Sequence, residues 1–254
     1  MKRPTLKSLK EKADTMEIDD AYRWLISLSE EYGEPVKKLA DKYYKRLELI
    51  KKEEERLLAM SSMELEAYDK GYCFIGGIDE AGRGPLAGPV VAACVILPKG
   101  CLLHKLNDSK KLSATVRDQL YTRIKAEAIS YGIGIVENYI IDDINIYEAT
   151  KKAMELAVNC MKTRPDFLIA DAVEIKVDIP QRAVPKADQN SISVAAASIL
   201  AKVTRDRIME KLDEKYPGYG FAKHKGYGTR EHIAAIKEKG LCPIHRRSFT
   251  RSFV

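Results

Sequence analysis

Asp79 and Glu80 stand side by side at the end of an apolar run, CFIGGI, just ahead of the glycine- and proline-rich stretch AGRGPLAGP. A second apolar run, FLIA, ends on Asp171, and Asp188 follows in PKAD, immediately before an alanine-rich helical stretch. Strand ends are rigid, so carboxylates there are held with little freedom. A single acidic residue in such a place usually caps or turns the chain. Taken together the four point to chemistry, because Asp79 and Asp171 each terminate an apolar strand, where folding gains nothing from a carboxylate. Hard oxygen donors from separate strand and helix ends suit two divalent cations roughly 4 Å apart, which support the two sides of an in-line displacement at phosphorus. Without cations the like charges would repel one another. The constellation therefore reads as a metal-dependent hydrolase of a nucleic-acid backbone.

The elements that must position these carboxylates are legible in outline. CFIGGID, VVAACVILP, ISYGIGIVENYI and PDFLIADAV read as strands. SATVRDQLYTRIKAEA, with a serine cap, and IYEATKKAMELAVNCMKT read as helices between them. SISVAAASILAKVTRDRIMEKLDEKY is a long helix whose small residues Ala195–Ala197 predict close packing on a sheet, and TREHIAAIKEKG is a further helix with a glycine stop. Alternating strands and helices imply an α/β fold, a central mixed sheet flanked by helices. Residues 1–70 lack strand signals and read as a helical extension. Apolar positions Val36, Leu39, Ala40, Tyr43, Leu47 and Ile50 mark one helix face there, with a shorter helix over about Ile18–Leu28. The expected division is a helical extension over 1–70 and a catalytic domain over 71–254 with a helical C-terminal region.

Bulk properties narrow the class. The 254 residues are 45% hydrophobic and 31% charged, a globular profile. No apolar run approaches the roughly 18 residues of a membrane span, and the basic N-terminus lacks the apolar core of a secretory signal. Cys73, Cys94, Cys101, Cys160 and Cys242 have neither CxxC spacing nor an even count, which fits reduced thiols in the cytoplasm. The net charge of +6 is uneven. Residues 1–70 are close to neutral, whereas the last thirty or so residues are rich in Lys and Arg, a distribution that attracts polyanions.

GIDEAGRGPLAGPVVAACVIL resembles the signature of bacterial ribonuclease HII. DSKKLS, DFLIADAV, KADQNSISVAAASILAKVTRD and HKGYGT resemble further family blocks in the family's order, together spanning about residues 73–250. The resemblance implies a ribonuclease H-like fold, with Asp79, Glu80, Asp171 and Asp188 binding two ions of Mg2+ or Mn2+. It implies cleavage of RNA paired with DNA, and incision 5′ of a single ribonucleotide in duplex DNA to leave 3′-hydroxyl and 5′-phosphate ends. Asp79 is expected to bridge the ions, with Asp188 or Glu80 on the nucleophile side and Asp171 on the leaving-group side. The sister family, ribonuclease HIII, carries lysine for the arginine of the glycine motif and a β-rich N-terminal platform, so Arg83 and the helical extension favour HII.

The resemblance further implies that Gly82, Arg83 and Gly84 read the 2′-hydroxyl, the group that separates RNA from DNA, and that Tyr227 hydrogen-bonds to the same 2′-hydroxyl and stacks on the sugar below. Lys110 is the expected phosphate contact. Arg246 and Arg247, with Arg251, are candidates for duplex backbone binding or else a charged tail. Arg205 and Asp206 read as an ion pair or as support for the carboxylates. Lys223, His224 and Lys225 read as loop-shaping or phosphate-contacting, and His224 is not assigned a catalytic role. The protein is expected to act as a cytoplasmic monomer. The sequence leaves two other readings open: a two-metal nuclease acting on all-DNA duplexes, and a nucleic-acid binding module without catalysis.

Overall fold

Three amphipathic helices open the chain: α1 (Leu6–Ala13), α2 (Ile18–Tyr32) and α3 (Glu34–Met60). Thr5 caps α1 by accepting from the Ser8 amide at 3.2 Å. Gly33, at φ 78°, separates α2 from α3, and Pro35 sits in the first turn of α3, where its missing N–H costs nothing. Leu9, Ala13, Ala21, Leu25, Val36, Leu39, Ala40 and Tyr43 form the core between these helices. The Tyr43 hydroxyl donates to Asp14 Oδ1 at 2.5 Å. The expected apolar face of α3 is buried from Val36 to Leu47, but Ile50 is 37% exposed.

The computed structural model describes residues 4–252 and falls into two compact units, the first ending at Arg56 and the second beginning at Leu57. The break lies inside α3. Leu57 and Met60 are buried with Val95, Leu120 and Leu200, and Met63 and Ala67 of α4 (Ser62–Asp69) with Ile75, Ile169 and Val194. Residues 57–70, read from sequence as the end of the extension, thus pack in the sheet unit. The Ser61–Ser62 step breaks the helix, but the apolar residues on both sides of it serve one core.

In the second unit β1 (Ile75–Ala81), β2 (Val90–Ile96), β3 (Ser130–Val136), β4 (Phe167–Asp171) and β5 (Gln181–Val184) form a mixed sheet in the order β3-β2-β1-β4-β5. β1–β2 and β2–β3 are antiparallel, and β1–β4 and β4–β5 are parallel. Alternate residues of β2 serve opposite layers. Ala93 and Val95 pack with α5 (Ala114–Glu127) and α7 (Ile192–Lys215), whereas Ala92 and Cys94 pack with α6 (Asn138–Asn159). Ala195–Ala197 lie against the sheet as their size predicts. The approach of α7 is so close that a Cβ on Gly77 would collide with the backbone of Ser193. α8 (Phe221–His224), α9 (Arg230–Lys239) and α10 (Arg247–Thr250) complete the C-terminal region.

Two local expectations shift. The strand expected over ISYGIGIVENYI stops at Val136, and Asn138 begins α6. The short edge strand β5 has no apolar alternation to announce it. Among the described residues no helix is long and apolar enough to cross a membrane, and all five cysteines are unpaired.

Candidate active site

Asp79 and Asp171 come together because β1 and β4 run parallel in register. Ile78 pairs with Ala170, and each aspartate is the next residue on its strand. Asp79 is 7% exposed; its Oδ1 accepts from the Glu80 amide at 2.8 Å, and Ser198 of α7 supplies a further hydrogen bond. Ser198 is itself held by Ser109, with the hydroxyl oxygens 2.9 Å apart. Asp171 Oδ1 accepts from the Ala187 amide at 3.1 Å, which ties β4 to the one-turn 3-10 helix Ala187–Gln189 that carries Asp188. Glu80 Oε1 meets Arg83 Nη1 at 3.3 Å, while its Oε2 is buried with no hydrogen-bond partner among the described residues.

The electrostatics show too little positive charge for so many carboxylates. Burial pushes the Asp79 carboxyl well above the usual range, and the negative charges of Glu80 and Asp171 add to the effect. Burial also raises Glu80; Arg83 opposes this and Asp171 reinforces it. Asp188 is raised by burial, then by Asp108 and Asp171, against the opposing Lys110 and Lys111. Among the described residues no three His, Cys, Asp or Glu side chains converge tightly enough to cage an ion alone. The arrangement suits a hard cation that keeps waters and takes further ligands from a substrate phosphate, as Mg2+ does. The orphaned Glu80 Oε2 and the unrelieved repulsion at Asp79 are the features such a cation would satisfy.

A cleft of about 360 Å³ gathers the four carboxylates with Gly82, Arg83, Gly84, Lys110 and Tyr227. Ser109, Ser198, Lys202 and Arg205 also line it. Neither Ser198 nor Lys202 was singled out in the sequence, although both lie at helical spacing on the stretch that follows Asp188. Tyr227 is 43% exposed, with Arg205 at 6.0 Å from its ring centre.

Other sequence expectations are redistributed. Arg246, expected at the duplex backbone, is fully buried, and its guanidinium hydrogen-bonds carbonyls of the loop after β1. A phosphate cannot reach it there. Arg247 lies outside the cleft, where its amide donates to Asp142 Oδ2 at 2.8 Å and its side chain is exposed. Arg205 does not pair with Asp206: it too is buried among carbonyls, and Asp206 takes Lys202 at 2.7 Å. Lys223 pairs with Glu231 and Lys225 with Glu210, each at 2.7 Å. His224 is buried, its Nε2 donating to the Tyr219 carbonyl at 2.8 Å.

The ribonuclease HII family model matches residues 76–252, so it covers the whole sheet unit from the second residue of β1 onward. The chain belongs to the ribonuclease HII family. It is 52% identical to ribonuclease HII of Acetivibrio thermocellus over 98% of both chains, and 51% identical to that of Clostridioides difficile over the full length of both. Those two alignments include the N-terminal helices. Among solved structures, ribonuclease H2 from Pyrococcus horikoshii superposes with a TM-score of 0.62 at 28% identity, covering 71% of this chain and 97% of that one. RNase HII of Archaeoglobus fulgidus, solved in complex with PCNA, gives 0.56 at 27% identity over 68% and 94%. Bst-RNase HIII, solved with Mn2+, shares the fold at 18% identity and a TM-score of 0.50, over 66% of this chain and 63% of that one. As a member of this family the chain is a hydrolase with ribonuclease H endonuclease activity, and it has the ribonuclease H-like α/β fold.

Proposed function

We propose that this member of the ribonuclease HII family hydrolyses the RNA strand of RNA–DNA hybrids and incises 5′ of single ribonucleotides embedded in duplex DNA, leaving 3′-hydroxyl and 5′-phosphate ends. The observation that carries this reading is the meeting, in one cleft, of the four carboxylates with the Gly82–Gly84 loop and Tyr227. Carboxylates alone would suit any phosphodiesterase. A glycine loop and an aromatic side chain beside them give the site a means to sense a sugar.

Asp79, Glu80, Asp171 and Asp188 would hold two divalent cations, Mg2+ or Mn2+, which when bound supply charge neutralisation and an activated water for phosphoryl displacement. The chain's own residues do the positioning. Ser198 and the Glu80 amide fix Asp79, the Ala187 amide fixes Asp171, and Arg83 restrains one oxygen of Glu80. Lys110 and Tyr227 both line the cleft; in this reading Lys110 would meet a phosphate, and Tyr227 would hydrogen-bond to the 2′-hydroxyl and pack against the ribose at the cut. One chain supplies the whole set, so a monomer suffices.

Cleavage mapping on a duplex with one ribonucleotide, beside an all-DNA duplex of the same sequence and with and without divalent ions, tests the proposal. A metal-dependent cut on the 5′ side of the ribonucleotide is expected. Cutting of the all-DNA duplex at a comparable rate would return the chain to the broader class of two-metal nucleases.

A further inference from the structure

Two buried arginines grip the loop that follows β1. Arg205 is 1% and Arg246 0% exposed. Arg246 donates through Nη2 to the carbonyls of Gly82 at 2.6 Å and Pro89 at 3.2 Å, through Nη1 to Arg83 at 2.9 Å, and through Nε to Gly88 at 2.9 Å. Arg205 donates through Nε to Pro89 at 2.9 Å, through Nη2 to Ala87 at 3.1 Å, and through Nη1 to Lys225 at 3.0 Å. Burying two guanidinium groups without a carboxylate partner is costly unless their N–H groups are satisfied. Here main-chain oxygens satisfy them.

The same segments are knit by backbone bonds, from Leu86 to Gly226 and from Arg246 to Leu86 at 2.8 Å each, and from Gly88 to Ile244 at 2.9 Å. Gly82, at φ 98°, has no room for a Cβ, which would strike Arg205. With the carbonyls of Gly82 and Arg83 turned inward, the loop has its donors left over. Among the described residues the amides of Gly82, Arg83 and Gly84 donate to no protein group, and all three residues line the cleft.

We infer that Arg205 and Arg246 are positioning residues that set the discrimination of ribose from deoxyribose. By holding the loop carbonyls inward they present the loop amides to the sugar, and by spanning to Lys225 they fix that loop against the Tyr227 segment. The inference rests on the reading that the loop and Tyr227 face the 2′-hydroxyl. Lysine keeps the charge but not the planar fork, so Arg→Lys would free carbonyls and let the peptides turn.

The test compares full-length wild type, R205K, R246K, F249L and Y227F. Phe249 lies 5.2 Å from the Arg246 guanidinium and makes none of these hydrogen bonds, so F249L loosens the clamp mildly. Two quantities are measured with Mg2+: KM for a duplex with one ribonucleotide, and Ki for the all-DNA duplex of the same sequence as competitor. For R205K and R246K, KM should rise about tenfold, the scale of one well-placed hydrogen bond. Ki should be unchanged and kcat less affected, and F249L should shift the Ki-to-KM ratio in the same direction by less. KM and Ki rising together, or a wild-type ratio in folded R205K and R246K, would overturn the inference. If both lysine variants fail to fold, F249L decides, and an unchanged ratio overturns it. A wild-type ratio near one, or a Y227F ratio equal to wild type, defeats the underlying reading of the sugar site instead.

Discussion

His232 Nε2 and His245 Nε2 lie 3.0 Å apart in the buried C-terminal core, and one arrangement of protons makes that contact a hydrogen bond. His232 Nδ1 faces the Tyr227 carbonyl at 3.0 Å and must donate to it, so Nε2 of the neutral ring accepts. His245 Nε2–H is then the donor, and its Nδ1 accepts from the Cys242 amide at 2.9 Å, with the Cys242 thiol at 3.1 Å. The chain runs in one direction from Cys242 to the segment bearing Tyr227. A proton added to His232 would set N–H against N–H.

Stability should therefore fall on acidification. Burial pushes His232 down to about 4, with the Tyr227 carbonyl opposing and the neighbouring histidines reinforcing, and burial lowers His245 as well. Between about 6.5 and about 4 the unfolded chain takes up protons that the folded chain refuses, so stability is lost as pH falls through that window and is unaffected by this pair above it. Thermal melts from pH 7 to pH 4.5 should show Tm dropping by several degrees, at roughly 2–4 °C per kcal/mol. His232→Gln should melt lower at pH 7 and show a shallower slope. An equal slope in the variant would exclude the pair as its source.

Asp79→Asn and Asp171→Asn should each lower turnover by about a thousandfold or more, the scale expected when an essential group of a jointly acting set is lost. Folding should survive. In chelator the Tm of Asp79→Asn should equal or exceed wild type, because burial and the charges of Glu80 and Asp171 disfavour the Asp79 anion. Adding Mg2+ should raise the Tm of wild type and not of this variant. Near-normal turnover in either variant would refute the metal-site assignment.

Much of this site was legible in the sequence because its polar residues interrupt patterns that otherwise serve the core. Asp79 and Glu80 lie in the last three residues of β1 and Asp171 ends β4, and the parallel pairing of the two strands brings Asp79 and Asp171 together. Arg246 was misread for the opposite reason. It sits in the basic run IHRRSFTR, and nothing local signals that its partners are carbonyls at Gly82, Arg83, Gly88 and Pro89, more than 150 residues away. Of the two readings of Arg205 and Asp206, the ion pair failed likewise, since Asp206 is adjacent in sequence but takes Lys202 instead. Ser198 and Lys202 were hidden by the helix in which they sit, whose alanines advertise packing.

Glu64 should prove a structural residue. It is 4% exposed, and its Oε1 accepts from the Ser191 hydroxyl at 2.5 Å and the Ser193 amide at 2.9 Å, at the N-terminus of α7. Burial raises its pKa while these hydrogen bonds oppose the shift. Glu64→Ala would leave the α7 donors without that acceptor and should cost about 1–3 kcal/mol, measured by denaturant unfolding. Turnover per folded molecule should be retained at low temperature, since Glu64 lies outside the cleft lining.

Truncations should separate the two units at residue 57 and not at residue 71. Leu57, Met60, Met63 and Ala67 are each buried in the sheet unit's core, and Glu64 anchors α7. Removing residues 1–56 should leave a cooperatively melting catalytic unit, whereas removing 1–70 should lower its Tm sharply or abolish folding. We further expect the shorter deletion to weaken affinity for RNA–DNA hybrid more than turnover at saturation, because Lys42, Lys45, Arg46 and Lys52 on α3 are available to phosphates. Steady-state kinetics at two salt concentrations measure this: KM should rise and its salt dependence should lessen. Unchanged KM with unchanged salt dependence would show that the helical extension serves something other than the substrate.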